Sequence, residues 1–181
     1  MNQKLATCSF AIVLIVWLVG YSWGGEYNFR KTKWGMSKQE VKSSEPFKPA
    51  REENIFLTYK SRALDKDVYI VFIFAERKLV RAKYILAEEH TNKNNYIHDY
   101  EDLKKLLTKK YGKSTHEKII WNNDLYNDDY SEWGFAVSLG HLAYFSNWET
   151  NSTIVTCYLL GEKYRVQCGV EYRSKGFRAM D

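Results

Sequence analysis

The sequence predicts an α+β domain: an antiparallel sheet of six to seven strands with two to three helices packed on it. Three observations carry this. Residues 55–86 read as three short runs rich in β-branched and aromatic residues, separated by tight turns. Residues 142–172 repeat that layout. Each set follows a helical pattern, over 37–45 and over 96–111. The order suggests a duplicated unit of one helix plus three strands, spanning 33–90 and 95–173. It rests on element order alone, since no residue-level repeat is visible.

The first helix has a capping box, Ser37-Lys38-Gln39-Glu40, with Met36 and Val41 at the two staple positions and Pro46 as its stop. Trp34 and Met36 are expected under the sheet. Strands are predicted over 55–62, 68–75 and 79–86. Val68, Ile70, Phe72 and Phe74 share one face of the middle strand, and Tyr69, Val71 and Ile73 share the other, so partial cover on both sides is expected. A polar linker follows over 90–95. Ile97, Tyr100, Leu103, Leu106, Leu107 and Tyr111 then recur at helical spacing and end at Gly112. Residues 118–121 form a short strand and 122–129 a polar turn. Residues 130–139 read as a helix closed by Gly140, with a strand as the competing assignment. Strands over 142–148, 153–160 and 164–172 complete the sheet, and the tail from 174 is expected to fray.

The N-terminus reads as an export signal. Met1 to Lys4 is a short basic start, residues 5–19 are almost entirely apolar, and Ser22 and Gly24 supply the small residues a signal peptidase needs, with cleavage placed after Gly24. An uncleaved anchor is the competing reading, because residues 5–23 span roughly 28 Å as a helix against a bilayer core of about 30 Å. Either way residues 25–181 form one extracytoplasmic domain, periplasmic, secreted or held outside the membrane. Leu5-Ala6-Thr7-Cys8 imitates a lipobox, but the cysteine precedes the apolar run instead of following it.

With 181 residues, 45% of them apolar, the chain can build a real core. The net charge of +5 comes from 27 basic and 22 acidic residues, a mixed surface without a basic stripe. Export and that pattern argue against nucleic acid as a partner. The membrane is expected to be met only through an uncleaved N-terminal segment.

Cys157 and Cys168 fall in the last hairpin. With its turn centred between Glu162 and Lys163, Cys157 meets Cys168, Val155 meets Val170 and Leu160 meets Arg165. A four-residue loop puts the cysteines at a non-hydrogen-bonded site with Cα atoms about 4.5 Å apart, so an exported protein is expected to bridge them. The gain would be about 2–3 kcal/mol. Two buried thiols are the other possibility.

No motif assigns a catalytic residue, a cofactor or a metal. His90, His98, His116 and His141 are scattered, and Asp124, Asn127, Asp128, Asp129 and Glu132 lack the register of a calcium loop. Asn151-Ser152-Thr153 fits a glycosylation acceptor, meaningful only in a eukaryotic secretory route. Aromatic residues on strands remain: Tyr69, Tyr84, Tyr144, Trp148, Tyr158 and Tyr172 form a candidate interaction patch if they share an exposed face.

At Trp34-Gly35-Met36-Ser37 with Glu40-Val41 the chain resembles uncharacterised bacterial secreted proteins with a W-G-M-[ST]-x-x-[ED]-V helix start. The Gly-Met-Ser-x-x-Glu-Val core is also similar to the first helix of small envelope modules of the BamE/SmpA and β-lactamase-inhibitor-protein type. That resemblance implies short helices on an antiparallel sheet and action by binding proteins. The chain departs from those modules in lacking the Gly-x-Pro that often follows the helix, and a lipidated cysteine in the right place. The function expected is a non-catalytic binding domain whose partner is a protein or envelope component. An extracytoplasmic enzyme, with His116 or His141 beside the acids of 124–132, is the second reading, and a purely structural envelope component the third.

Overall fold

The computed structural model describes residues 27–63 and 65–177. The export signal expected over 1–24 and the last four residues of the tail lie outside them. Among the described residues, no helix is long and apolar enough to cross a membrane.

Eight strands form one antiparallel sheet in the order β1-β2-β3-β4-β8-β7-β6-β5. They are β1 (Arg51–Glu52), β2 (Phe56–Ala63), β3 (Lys66–Ala75), β4 (Lys78–Leu86), β5 (His116–Trp121), β6 (Leu142–Glu149), β7 (Thr153–Glu162) and β8 (Arg165–Ser174). Among the described residues three helices accompany them: α1 (Lys38–Ser44), α2 (Asn95–Tyr111) and α3 (Trp133–Leu139), the last entered through a 3-10 turn at Tyr130–Glu132. The expected six to seven strands are thus eight. The extra one, β1, is two exposed residues with no apolar alternation for a sequence to display. The tail expected to fray from 174 begins inside β8, which runs through Ser174.

Local chemistry accounts for the elements. Ser37 and Glu40 cap α1 reciprocally: the Glu40 N–H donates to Ser37 Oγ at 3.3 Å, and the Ser37 N–H donates to Glu40 Oε2 at 2.7 Å. Val41, one residue on, is fully buried. Gly112 and Gly140 end α2 and α3 at φ 83° and 78°, a region that favours residues without a Cβ. Glu76-Arg77 and Lys163-Tyr164 take positive φ in pairs, the signature of two-residue hairpin turns that match strand twist.

Residues opposite each other on a ladder share a face. Following the registers from β2 to β6, Leu57, Tyr59, Ile70, Phe72, Ala82, Val170, Tyr172, Val155, Cys157, Leu159, Leu142, Tyr144 and Trp148 point to one side, and all are buried. All three helices lie there. Lys38 of α1 sits over the Phe74 ring. The α2 carbonyl of Tyr100 faces the Cys157 thiol, and the Trp148 indole N–H donates to the Gly112 carbonyl at 2.9 Å. Gly161 meets the α3 backbone so closely that a Cβ there would lie 2.3 Å from the Val137 carbonyl oxygen. The cover expected on both faces of β3 is therefore one-sided: Tyr69, Val71 and Ile73 are exposed to half-buried.

Two meanders meet only at β4 and β8. Phe29 bridges them from the helix side, with ring centroids 5.5 Å from Phe72, 4.9 Å from Tyr84 and 5.0 Å from Tyr172. Its loop is pinned by the Trp34 N–H donating to Asn28 Oδ1, by Asn28 Nδ2 donating to Ser152 Oγ and by the Trp34 indole donating to Thr153 Oγ1. The tuck expected for Trp34 and Met36 is observed, since both pack on the core.

The last hairpin departs from its expected register. Its two-residue turn is Lys163-Tyr164, so Cys157 stands opposite Val170 and Cys168 opposite Leu159. The cysteines are diagonal neighbours on one face, and both thiols are free and buried. The two-residue offset preserves the face but removes the direct pairing that a bridge requires, because diagonal Cα atoms lie about 7–8 Å apart, beyond ordinary disulfide reach. Burial pushes the Cys157 thiol up to about 12 and the Cys168 thiol well above its usual range.

Two outcomes follow. Phe29→Ala removes the ring that joins both meanders and should cost about 3–5 kcal/mol in urea unfolding. Alkylation at pH 8 with peptide mapping should leave Cys157 and Cys168 unmodified in the native protein and label both after denaturation; a pair that stays unlabelled until a reductant is added would mean a bridge.

Candidate functional site

Of the predicted aromatic patch, the fold leaves little at the surface. Tyr144, Trp148 and Tyr172 face the helices and are buried. Tyr84 lies on the same side, half-buried, and accepts a 3.5 Å hydrogen bond from Arg30. Tyr158 points to the opposite face yet is 5% exposed, and only Tyr69 is open, at 36%. The six residues do not form one patch, because strand parity splits them between faces and the helices cover four of them.

The second proposed cluster does not assemble either. His116 starts β5 at the surface, and the acids of 124–132 form an exposed turn. The His141 ring stacks on Tyr126 with centroids 6.0 Å apart, not on a carboxylate. Among the described residues the only histidine–carboxylate pair is His90–Asp99, and no three His, Cys, Asp or Glu residues converge as metal ligands would. Asp99, buried near the start of α2, accepts from Lys66 Nζ at 2.8 Å through Oδ1 and sits 2.6 Å from His90 Nε2 through Oδ2. Lys66 also reaches Glu88 at 3.4 Å. The His90 ring lies edge-on to Tyr96 at 4.6 Å. Both carboxylate oxygens are spent on holding β3, the loop after β4 and α2 together, which makes this a clasp. Lys66 lies 33 residues from Asp99 and His90 nine, and no local motif marks the three.

What stands open is the second face of the sheet. Its strand positions alternate with the buried set, and Phe56, Val71, Ile73, Phe145, Ile154 and Leu160 are only half-buried there. In its middle the backbone of β8 passes close to β4: a Cβ on Gly169 would lie 2.3 Å from the Tyr84 carbonyl oxygen and 3.0 Å from the Tyr158 hydroxyl. Tyr158 lays its ring over that glycine, an aromatic covering a gap in the pleat. Burial raises its pKa, and its hydroxyl has no hydrogen-bond partner among the described residues. Lys83 lies 5.8 Å over the same ring and 2.7 Å from Glu171. Lys83, Phe145, Tyr158, Leu160, Gln167 and Glu171 line a shallow hollow of about 200 Å³. The hollow is open to solvent, and its lining mixes charged, polar and apolar side chains.

Fold and face together define an open-faced α+β sheet domain, with helices on one side and a mixed apolar and charged surface on the other. No protein-family model matches the sequence, and no curated protein does. A similar solved structure is that of a DUF4309 family protein (YjgB) from Bacillus subtilis subsp. subtilis str. 168, with 12% identity, covering 77% of this chain and 78% of that one, at a TM-score of 0.38. A likeness of that size bears on neither function nor fold.

The clasp yields a pH prediction. Its hydrogen bond to Asp99 raises the Lys66 pKa above the usual 10.5. A raised folded pKa gives stability that is fully present below 10.5 and is lost as pH climbs through the folded value. Asp99→Asn should destabilise by about 1–3 kcal/mol at neutral pH, and the gap to the native protein should close above about pH 10.5, measured by urea unfolding from pH 7 to 11.

Proposed function

We propose that this chain is an exported, non-catalytic binding domain that docks a partner protein on the open face of its sheet. The observation that carries the reading is one-sided packing. All three helices lie on one face, while the other leaves Phe56, Val71, Ile73, Phe145, Ile154 and Leu160 half-buried. Contiguous apolar surface interrupted by charge is what interaction faces present. Export is supported by the sequence of residues 1–24, and the resemblance of the 34–41 segment to envelope modules points the same way.

The test is a contrast between faces. The full chain should be used as bait in envelope extract, beside Ile73→Ser/Ile154→Ser on the open face and Lys105→Ser/Lys109→Ser on the outer side of α2. Capture of a stoichiometric partner should fall at least about tenfold with the sheet-face pair and stay unchanged with the helix pair, thermal unfolding being followed for all. Loss through the helix pair alone, or loss through neither, would move the interface off the sheet.

A further inference from the structure

The middle of that open face holds two like charges with nothing to balance them. Arg81 on β4 and Arg173 on β8 are directly opposite across the seam. Both are half-buried. Among the described residues neither has an ion pair or a side-chain hydrogen bond. The carboxylates at outward positions of the strands are Asp67, Glu149, Glu162 and Glu171, and each is already held by another cation: Arg62 at 3.4 Å, Lys175 at 2.8 Å, Lys163 at 3.3 Å and Lys83 at 2.7 Å. Like charges directly opposite on a ladder oppose pairing, so folding alone gives no reason for this arrangement.

The residues beside the pair define what would fit. Along one row across the sheet, Phe56 of β2 faces Ile73 of β3, Ile73 faces Arg81, Arg81 faces Arg173, and Arg173 faces Ile154 of β7. Strands lie about 4.8 Å apart, so this row runs apolar, apolar, basic, basic, apolar over roughly 19 Å. Guanidinium forks match carboxylates in bidentate geometry, and half-buried isoleucines on both sides require a partner that removes water there. We propose that the Arg81–Arg173 pair receives two carboxylates of an acidic segment in a partner protein, with aliphatic residues of that segment packing on Ile73 and Ile154. A layer of lipid headgroups would supply charge without displacing water from the isoleucines. The inference rests on the open face being the docking surface and specifies what the partner brings to it.

Two synthetic peptides test it, one with a central Glu-Glu pair flanked by leucines and the other with Gln-Gln in its place. Fluorescence anisotropy with the full chain should give at least about a tenfold preference for the Glu peptide, declining as salt is raised. Arg81→Gln/Arg173→Gln should abolish the preference without lowering the unfolding temperature, since the variant also relieves the like-charge contact. Vesicles of three parts phosphatidylcholine to one part phosphatidylglycerol serve as the lipid arm. Absence of a preference, a preference that survives in the double variant, or arginine-dependent binding to vesicles only would each overturn the inference. If Ile73→Ser/Ile154→Ser abolishes partner capture while Arg81→Gln/Arg173→Gln retains it, the docking face stands and the acidic partner falls.

Discussion

The ladder between β4 and β8 is the constraint on which the shape of the molecule depends. Every other strand pair joins neighbours in the chain or nearly so, apart from β5 and β6, which are separated by α3. Only β4 and β8 join positions some ninety residues apart, Arg81 with Arg173 and Ile85 with Gly169. Closing that distance has an entropic cost that only packing can offset. Three features do so. Phe29 contacts rings from both meanders, Gly169 admits the Tyr84 carbonyl where any Cβ would collide, and Lys83 pairs with Glu171 across the seam. Without this join each meander would expose a long inner edge, a template for unwanted pairing. The edges that remain are managed: β1 is two residues long, and β5 carries Lys118 facing out and is exposed along most of its length.

One-sided packing follows from dimensions. A helix of 17 residues reaches about 25 Å, whereas seven gaps between strands span roughly 33 Å. Thus α2 serves β6, β7 and β8, α3 fills the end beside β7, and the Phe29 loop with α1 covers the first meander. All three helices among the described residues are used on that side. The buried polar contacts belong to the same economy of space: the Tyr100 hydroxyl lies 2.7 Å from Ser146 Oγ, and the Trp148 indole closes the end of α2. The far face then receives no cover from described elements, and its half-buried apolar residues are a consequence of architecture before they are a feature of function.

Local signals made most elements legible in the sequence. The capping box placed α1 because its two hydrogen bonds need only residues three apart, and Gly112 and Gly140 marked helix ends because a left-handed backbone excludes most other residues. The β-rich runs gave seven strands, and β1 escaped because two exposed residues have no periodicity. What failed was everything that depends on a count across a turn or a choice between faces. The last hairpin was centred one residue early, so the partner of every residue shifted by two and Cys157 lost Cys168. The aromatic patch failed because its six residues alternate onto both faces and tertiary packing decided which were covered. Asp99, His90 and Lys66 were invisible as a group, since no helical or strand periodicity links them and only the packing of α2 beside the start of β3 brings them together. Arg81 and Arg173 were equally hidden, because their meeting exists only through the β4–β8 pairing.

That pairing also explains why the outward side of the seam is free to carry a pattern unfavourable for folding. Opposed like charges on a ladder cost roughly 0.2–1 kcal/mol. On the helix side of the same two strands Ala82, Val170 and Tyr172 are buried, and a buried side chain of valine size or larger contributes about 1.5–3 kcal/mol. The inner contacts therefore outweigh the outer repulsion several times over, and the ladder holds whichever residues stand at 81 and 173. Stability dictates the inward residues of β4 and β8 and leaves the outward ones undetermined. The fold tolerates an uncompensated pair of guanidinium groups at such positions, which leaves both forks open to the carboxylates that the docking proposal assigns to a partner.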